Sequence, residues 1–208
     1  DVVGAVIEVA SGMRFGDFLK KEIFEPLGMN DTDFWVPAEK QDRLAKVYDC
    51  REGQPSVRYL DNNLGIQNDM AYRPAYEAGG AGLASTIDDY AKFTQMLLNG
   101  GTYNGVQILR PATVKFLGGH TLSAVQQAGF DNWIGLEGFS YGNLMRVLVD
   151  PTRAVTLGSK GEFGWDGWLG CYMEVVPEQN MTFLMMTQKK DAGTYTLSRN
   201  CLLYTSDA

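Results

Sequence analysis

The residues best suited to chemistry lie in Gly161-Glu162-Phe163-Gly164-Trp165-Asp166-Gly167-Trp168-Leu169-Gly170, which sets four glycines and two tryptophans in ten positions. Glycine lets a backbone approach a ligand closely, and an indole can wall a pocket while keeping one polar N–H to aim. Trp165-Asp166-Gly167-Trp168 is therefore the candidate site. The competing reading is a glycine-rich turn before a strand, with tryptophans filling the core. Other constellations carry less. His120 is the single histidine and has no Gly-x-Ser-x-Gly elbow to serve, so it reads as a loop residue. Gly80-x-Gly82 lacks the third glycine and the preceding strand of a dinucleotide site. Asp88-Asp89 suits a helix start better than an acid–base pair, and Met181, Met185 and Met186 read as core filler. Thr187-Gln188-Lys189-Lys190 spaces a hydroxyl from an amine, but at a strand end, where the lysine would not stand one helical turn behind the hydroxyl.

The candidate quartet must be positioned by a hairpin. Residues 161–176 form one arm, Met181–Thr187 the return arm, and Pro177-Glu178-Gln179-Asn180 the turn; both arms are rich in β-branched, aromatic and large apolar residues. Before it, Leu144–Val149 and Ala154–Gly158 are expected as strands around an Asp150-Pro151 turn. Helices come earlier. Asp1–Ser11 is expected to be a buried helix ending at Gly12, and Phe15–Phe24 a second that stops at Glu25-Pro26. A short helix is expected from Pro37 to Tyr48, followed by a long polar loop from Asp49 to Glu77 near the mouth of a pocket. Ile87–Asn99 is a helix with a capping-box-like start at Ser85 and Asp88, an apolar stripe of Tyr90, Phe93, Met96 and Leu97, and an end at Gly100-Gly101. Asn104-Gly105 predicts a tight hairpin over 102–107, and Arg110-Pro111 opens another helix. Helices first and consecutive strands later give an α+β chain with an antiparallel sheet.

With 208 residues, 45% hydrophobic, the chain suffices for one compact domain burying roughly 70% of its unfolded surface. Lys+Arg number 18 against 25 Asp+Glu, and the net charge of −7 excludes a nucleic-acid partner recognised through a basic face. No apolar run reaches the roughly 18 residues of a membrane helix. Cys50, Cys171 and Cys201 with one histidine make neither a zinc set nor a disulfide framework, so no metal is expected and cysteine usage leans towards a reducing compartment, although a segment ahead of Asp1 could hold a signal peptide.

The hairpin is similar to the third motif of the serine β-lactamase-like family, which includes penicillin-binding peptidases, class C β-lactamases and related serine esterases. The similarity rests on Gly161-Glu162-Phe163-Gly164-Trp165-x-Gly167, the strand and x-Pro turn after it, and the second strand ending in Met186-Thr187-Gln188. Ile23-Phe24-Glu25-Pro26-Leu27-Gly28-Met29 and Gly79–Val114 resemble the same family. The resemblance implies an antiparallel sheet with helices on both faces and part of a helical subdomain. Residues 1–200 would be a partial domain, helical and looped over 1–120 and stranded over 130–190, with its start inside a helix suggesting a cut from something longer. Residues 195–200 could begin a closing helix, and residues 201–208 fit no native pattern. The implied activity is hydrolysis of an ester, amide or peptide through an acyl-serine intermediate, without a cofactor. Trp165, Asp166 and Gly167 would line the substrate, and the N–H of Trp168 would donate to the oxyanion. The family's nucleophile motif, Ser-x-x-Lys, occurs nowhere in the sequence, and Tyr141-Gly142-Asn143 carries the letters of its tyrosine motif where the family has a strand. The chain alone is therefore expected to be inert. Asp166 and Trp168 stand where the family commonly has small or hydroxyl residues. That favours an esterase, amidase or peptidase over a penicillin-cleaving enzyme, and it motivates the alternative of a non-catalytic relative binding a peptidoglycan-like peptide or a protein.

Overall fold

A computed structural model describes residues 1–63, 66–133 and 135–191. The chain divides into two compact units: Asp1–Lys92 with Gln188–Lys190, and Phe93–Thr187 with Asp191. The expected helix at 195–200, the tail 201–208 and Cys201 lie outside the described residues.

In the first unit, helix α1 (Val2–Ser11) ends as expected on Gly12 at φ 69°, whose N–H closes on the Glu8 carbonyl. The expectation that it is buried is corrected. Its buried position is Gly4, where a Cβ would meet the Phe15 ring at 3.3 Å, whereas Val2, Val3, Val6 and Val9 are 79, 56, 60 and 88% exposed. The second helix is also longer than its proline suggested: α2 (Phe15–Leu19) runs through a π turn (Lys20–Phe24) into α3 (Glu25–Leu27) and closes on Gly28 at φ 69°. A π turn re-spaces the backbone bonds just where the ring of Pro26 would meet the carbonyl one turn back, so the helix survives the proline. The helix expected up to Tyr48 is a 3-10 turn, Ala38–Arg43, because Leu44 is already extended and Tyr48 is needed in a ladder. That ladder pairs β1 (Tyr48–Asp49) with β2 (Val57–Arg58), and Gln188–Lys190 returns alongside: Tyr48 N–H donates to the Gln188 carbonyl at 2.9 Å and Lys190 N–H to the Tyr48 carbonyl at 2.8 Å.

The end of the long loop is held by Glu77, whose side chain is 1% exposed and accepts from Gly16 N–H at 2.7 Å and Arg73 Nε at 2.9 Å, with Arg14 Nη2 at 3.1 Å. Gly16 is glycine for that contact, since a Cβ would stand 3.0 Å from both carboxylate oxygens. Gly80-x-Gly82 likewise has a packing explanation: a Cβ at Gly82 would lie 2.8 Å from the Ala78 carbonyl oxygen.

Helix α4 (Ile87–Leu98) passes from one unit into the other. Its cap differs from the expected one. Thr86 Oγ1 accepts from Asp89 N–H at 3.2 Å, while Ser85 Oγ lies 2.8 Å from Thr32 Oγ1, and buried Asp89 binds Asp31 N–H and Lys92 Nζ. Met96 and Leu97 are buried as the stripe required.

In the second unit the Asn104-Gly105 hairpin joins β3 (Thr102–Tyr103) to β4 (Val106–Gln107), with both turn residues at positive φ, and α5 (Pro111–Gly119) begins on its proline. Helix α6 (Ala124–Phe130) was not anticipated, although Ser123 and Gln126 form a full capping box. The sheet is an antiparallel meander of β5 (Phe139–Gly142), β6 (Met145–Leu148), β7 (Phe163–Asp166), β8 (Tyr172–Val176) and β9 (Met181–Met185). Residues 161–176 are thus two strands and a turn rather than one arm. Ala154–Gly158 is not a strand: Ala154 N–H turns back to the Pro151 carbonyl, and Val155 and Leu157 are exposed. Leu136, Phe139 and Leu148 form a buried cluster with Phe130 and Ala154 packed against it. The methionines of β9 are half-buried on the sheet's last strand rather than in the core.

Candidate functional site

Trp165 and Asp166 end strand β7, facing Met173 and Tyr172 of β8 across the ladder, and Gly167 and Trp168 begin the turn that links the two. The turn is held by its own backbone and by the chain beyond β9. Gly167 N–H donates to the Cys171 carbonyl at 2.7 Å and Gly170 N–H to the Gly167 carbonyl at 2.9 Å, with Gly170 at φ 92°. Thr187 Oγ1 donates to the Leu169 carbonyl at 3.0 Å, Cys171 Sγ to the Thr187 carbonyl at 3.4 Å, and Trp168 Nε1 to Asp191 Oδ1 at 2.5 Å. The hydroxyl of Thr187 therefore serves the turn, and Lys190 goes elsewhere, 3.8 Å from Asp49 and above the Tyr59 ring.

The wall beside the quartet is aromatic. Tyr141 on β5 meets Trp165 edge-on with ring centroids 5.2 Å apart, and Phe130 lies 5.9 Å from Tyr141. Burial pushes the Tyr141 phenol up, away from ionisation at neutral pH. His120 is exposed after α5, its ring tilted against that of Phe116 with centroids 5.2 Å apart.

Beneath the quartet lies a charged cluster that the sequence reading missed. Arg146 on β6 is 1% exposed, and Gly164 separates it in the ladder from Glu174, itself 2% exposed. Glu174 Oε2 accepts from the Tyr172 hydroxyl at 2.8 Å. Glu162, 5% exposed, accepts from Ser159 N–H at 2.9 Å, and its carboxyl is pushed up to about 9 by burial first, then by its hydrogen bond to Glu174 and that residue's charge. The available signal was position: a glutamate in the middle of Tyr172-Met173-Glu174-Val175-Val176 and an arginine inside Met145-Arg146-Val147-Leu148 must be buried if those strands are. Among the described residues no group of His, Cys, Asp and Glu could hold a metal, and no helix is long and apolar enough to cross a membrane.

Comparison with known proteins places this geometry in context. Protein Rv1367c of Mycobacterium tuberculosis is 31% identical over 195 residues, covering 90% of this chain and 47% of that protein. The lovastatin esterase of Penicillium rubens is 30% identical over 173 residues, 82% of this chain and 41% of the esterase. The chain thus spans about half the length of the curated relatives it matches. Among solved structures, EstCE1, a hydrolase with promiscuous acyltransferase activity, superposes with a TM-score of 0.76 at 24% identity, over 98% of this chain and 54% of that one, and shows the same fold. The model of the Beta-lactamase family matches residues 1–200, and the chain belongs to that family.

Proposed function

We propose that this chain supplies one wall of the active site of a serine hydrolase that cleaves an ester, amide or peptide through an acyl-serine intermediate. Trp165, Asp166 and Gly167 line the substrate, and the backbone N–H of Trp168 stabilises the oxyanion. The observation that carries this reading is the mounting of the Trp165–Gly170 turn, bonded through Gly167, Gly170, Cys171, Thr187 and Asp191. An oxyanion donor works by being aimed before charge develops, and a turn bonded at that many points does not have to reorganise when it does. An ester is favoured as substrate by the names of two similar proteins, lovastatin esterase and EstCE1. The nucleophile must come from other sequence, because no Ser-x-x-Lys occurs here.

The test uses a fluorophosphonate probe and a p-nitrophenyl ester. The chain alone is expected to remain unlabelled and inert, and a longer protein that places Ser-x-x-Lys ahead of Asp1 is expected to label at that serine. In that protein Trp168→Pro, which deletes the N–H, lowers kcat about 100- to 1000-fold, while Trp168→Ala, which keeps it, does not. Turnover by the chain alone, or equal rates for the proline and alanine variants, overturns the proposal. A longer protein with an eroded serine motif and no labelling would instead support the binding relative.

A further inference from the structure

Arg146 has an open polar account. It is 1% exposed, and its Nε, Nη1 and Nη2 have no hydrogen-bond partner. The rings of Tyr172 and Phe139 lie 4.6 and 5.8 Å from its Cζ and accept the cation through their faces. Glu174, across Gly164 in the same row, is bonded to Tyr172 and Glu162. The Arg146 charge also bears on buried Glu162, and the partly exposed carboxylate that reaches towards the guanidinium is the middle residue of the candidate triplet: Asp166 Oδ2 lies 3.8 Å from Arg146 Nη1, and a quarter of the Asp166 side chain is exposed. A buried guanidinium is a fork of donors that demands an acceptor. Asp166 is beside that fork and partly exposed to solvent.

We propose that Asp166 is the specificity-determining residue of this site: its carboxylate fills the position over Arg146 that a ligand carboxylate would otherwise take, so that the site rejects free acids and accepts neutral esters and amides. The inference rests on the reading of Trp165-Asp166-Gly167 as substrate-lining. With Asp166 present, an incoming carboxylate meets a like charge. With Asp166 removed, the same carboxylate meets a desolvated arginine, the setting in which a charge-assisted, bidentate contact is strongest.

Binding tests this without any turnover. The indole N–H signals of Trp165 and Trp168 flank position 166 and report on the chain by two-dimensional NMR during titration with N-acetylglycine and with its uncharged amide. In the wild-type chain the acid is expected to bind no better than the amide. In Asp166→Ala the acid is expected to bind at least about tenfold tighter than the amide, with a preference that falls as salt is added. In Asp166→Ala/Arg146→Met that preference disappears. An Asp166→Ala variant without preference for the acid, or a preference that survives loss of the arginine, overturns the proposal. If the double variant no longer melts cooperatively, Asp166→Ala/Arg146→Lys decides: a weakened preference supports the arginine fork and an unchanged one overturns it. A longer protein that fails to label at serine discards the hydrolase reading and leaves this binding rule standing.

Discussion

At the scale of single residues, the second unit carries a buried acid pair whose protonation is coupled to folding. Glu162 and Glu174 sit within one hydrogen-bonded cluster, and the Glu162 carboxyl is pushed up to about 9. In the unfolded chain a glutamate ionises near pH 4.5. Between those values folded Glu162 holds a proton that the unfolded chain has released, so its contribution to stability is full below about pH 4.5 and falls as pH rises towards 9. Glu162→Gln, a neutral copy of the protonated acid, is expected to flatten that slope and to melt at a higher temperature than the wild-type chain at pH 8. Thermal melts at pH 5, 6, 7 and 8 check this, and parallel wild-type and variant slopes would refute it.

At the scale of elements, helix α5 packs on β5 and β6, and the Phe163 ring of β7 reaches it at Gly118. A Cβ at Gly118 would come within 2.6 Å of the Phe163 ring, whereas one at Gly119 would meet nothing within 4 Å. Gly118→Ala is expected to force Phe163 and with it β7 outward, at a cost of about 1–3 kcal/mol. Gly119→Ala adds the same methyl without the clash and should be neutral or slightly stabilising, since alanine is the better helix former. Urea midpoints of the two variants distinguish them, and equal midpoints would mean that α5 does not set the position of β7. Both elements were legible in part. Pro111 announced the start of α5, and the aromatic and β-branched run announced β7, but nothing local says that residue 118 must be glycine. That requirement comes from a ring 45 positions along the chain.

At the scale of the whole molecule, apolar surface and strand edges are left open among the described residues. The Val2, Val3, Val6 and Val9 face of α1 is exposed, and β5 and β9 are the terminal strands of their sheet. Exposed apolar faces and unpaired edges promote association. The apparent mass of the chain in size-exclusion chromatography with light scattering is therefore expected to rise with concentration, and Val6→Glu/Val9→Glu to lower it. A concentration-independent monomer would contradict this.

What the sequence determined by itself is the set of features written in neighbouring residues. Gly12 and Gly100-Gly101 end helices because only glycine takes positive φ cheaply, Asn104-Gly105 turns a hairpin for the same reason, and the runs of apolar residues mark α4, β6 and β9. The motif around Trp165-Asp166-Gly167 was visible because it is contiguous. What only the tertiary structure decided depends on which strands lie side by side. Residues 161–176 split into β7 and β8 because Gly167 pairs back to Cys171, a choice that the apolar run alone leaves open. Arg146 and Glu174 share one row of the sheet only because the register of three strands sets both against Gly164, which lies between them. Asp166 changes meaning in the same way: in sequence it is a bare charge in a glycine-rich turn, and in the fold it lies 3.8 Å from a buried guanidinium whose nitrogens have no hydrogen-bond partner.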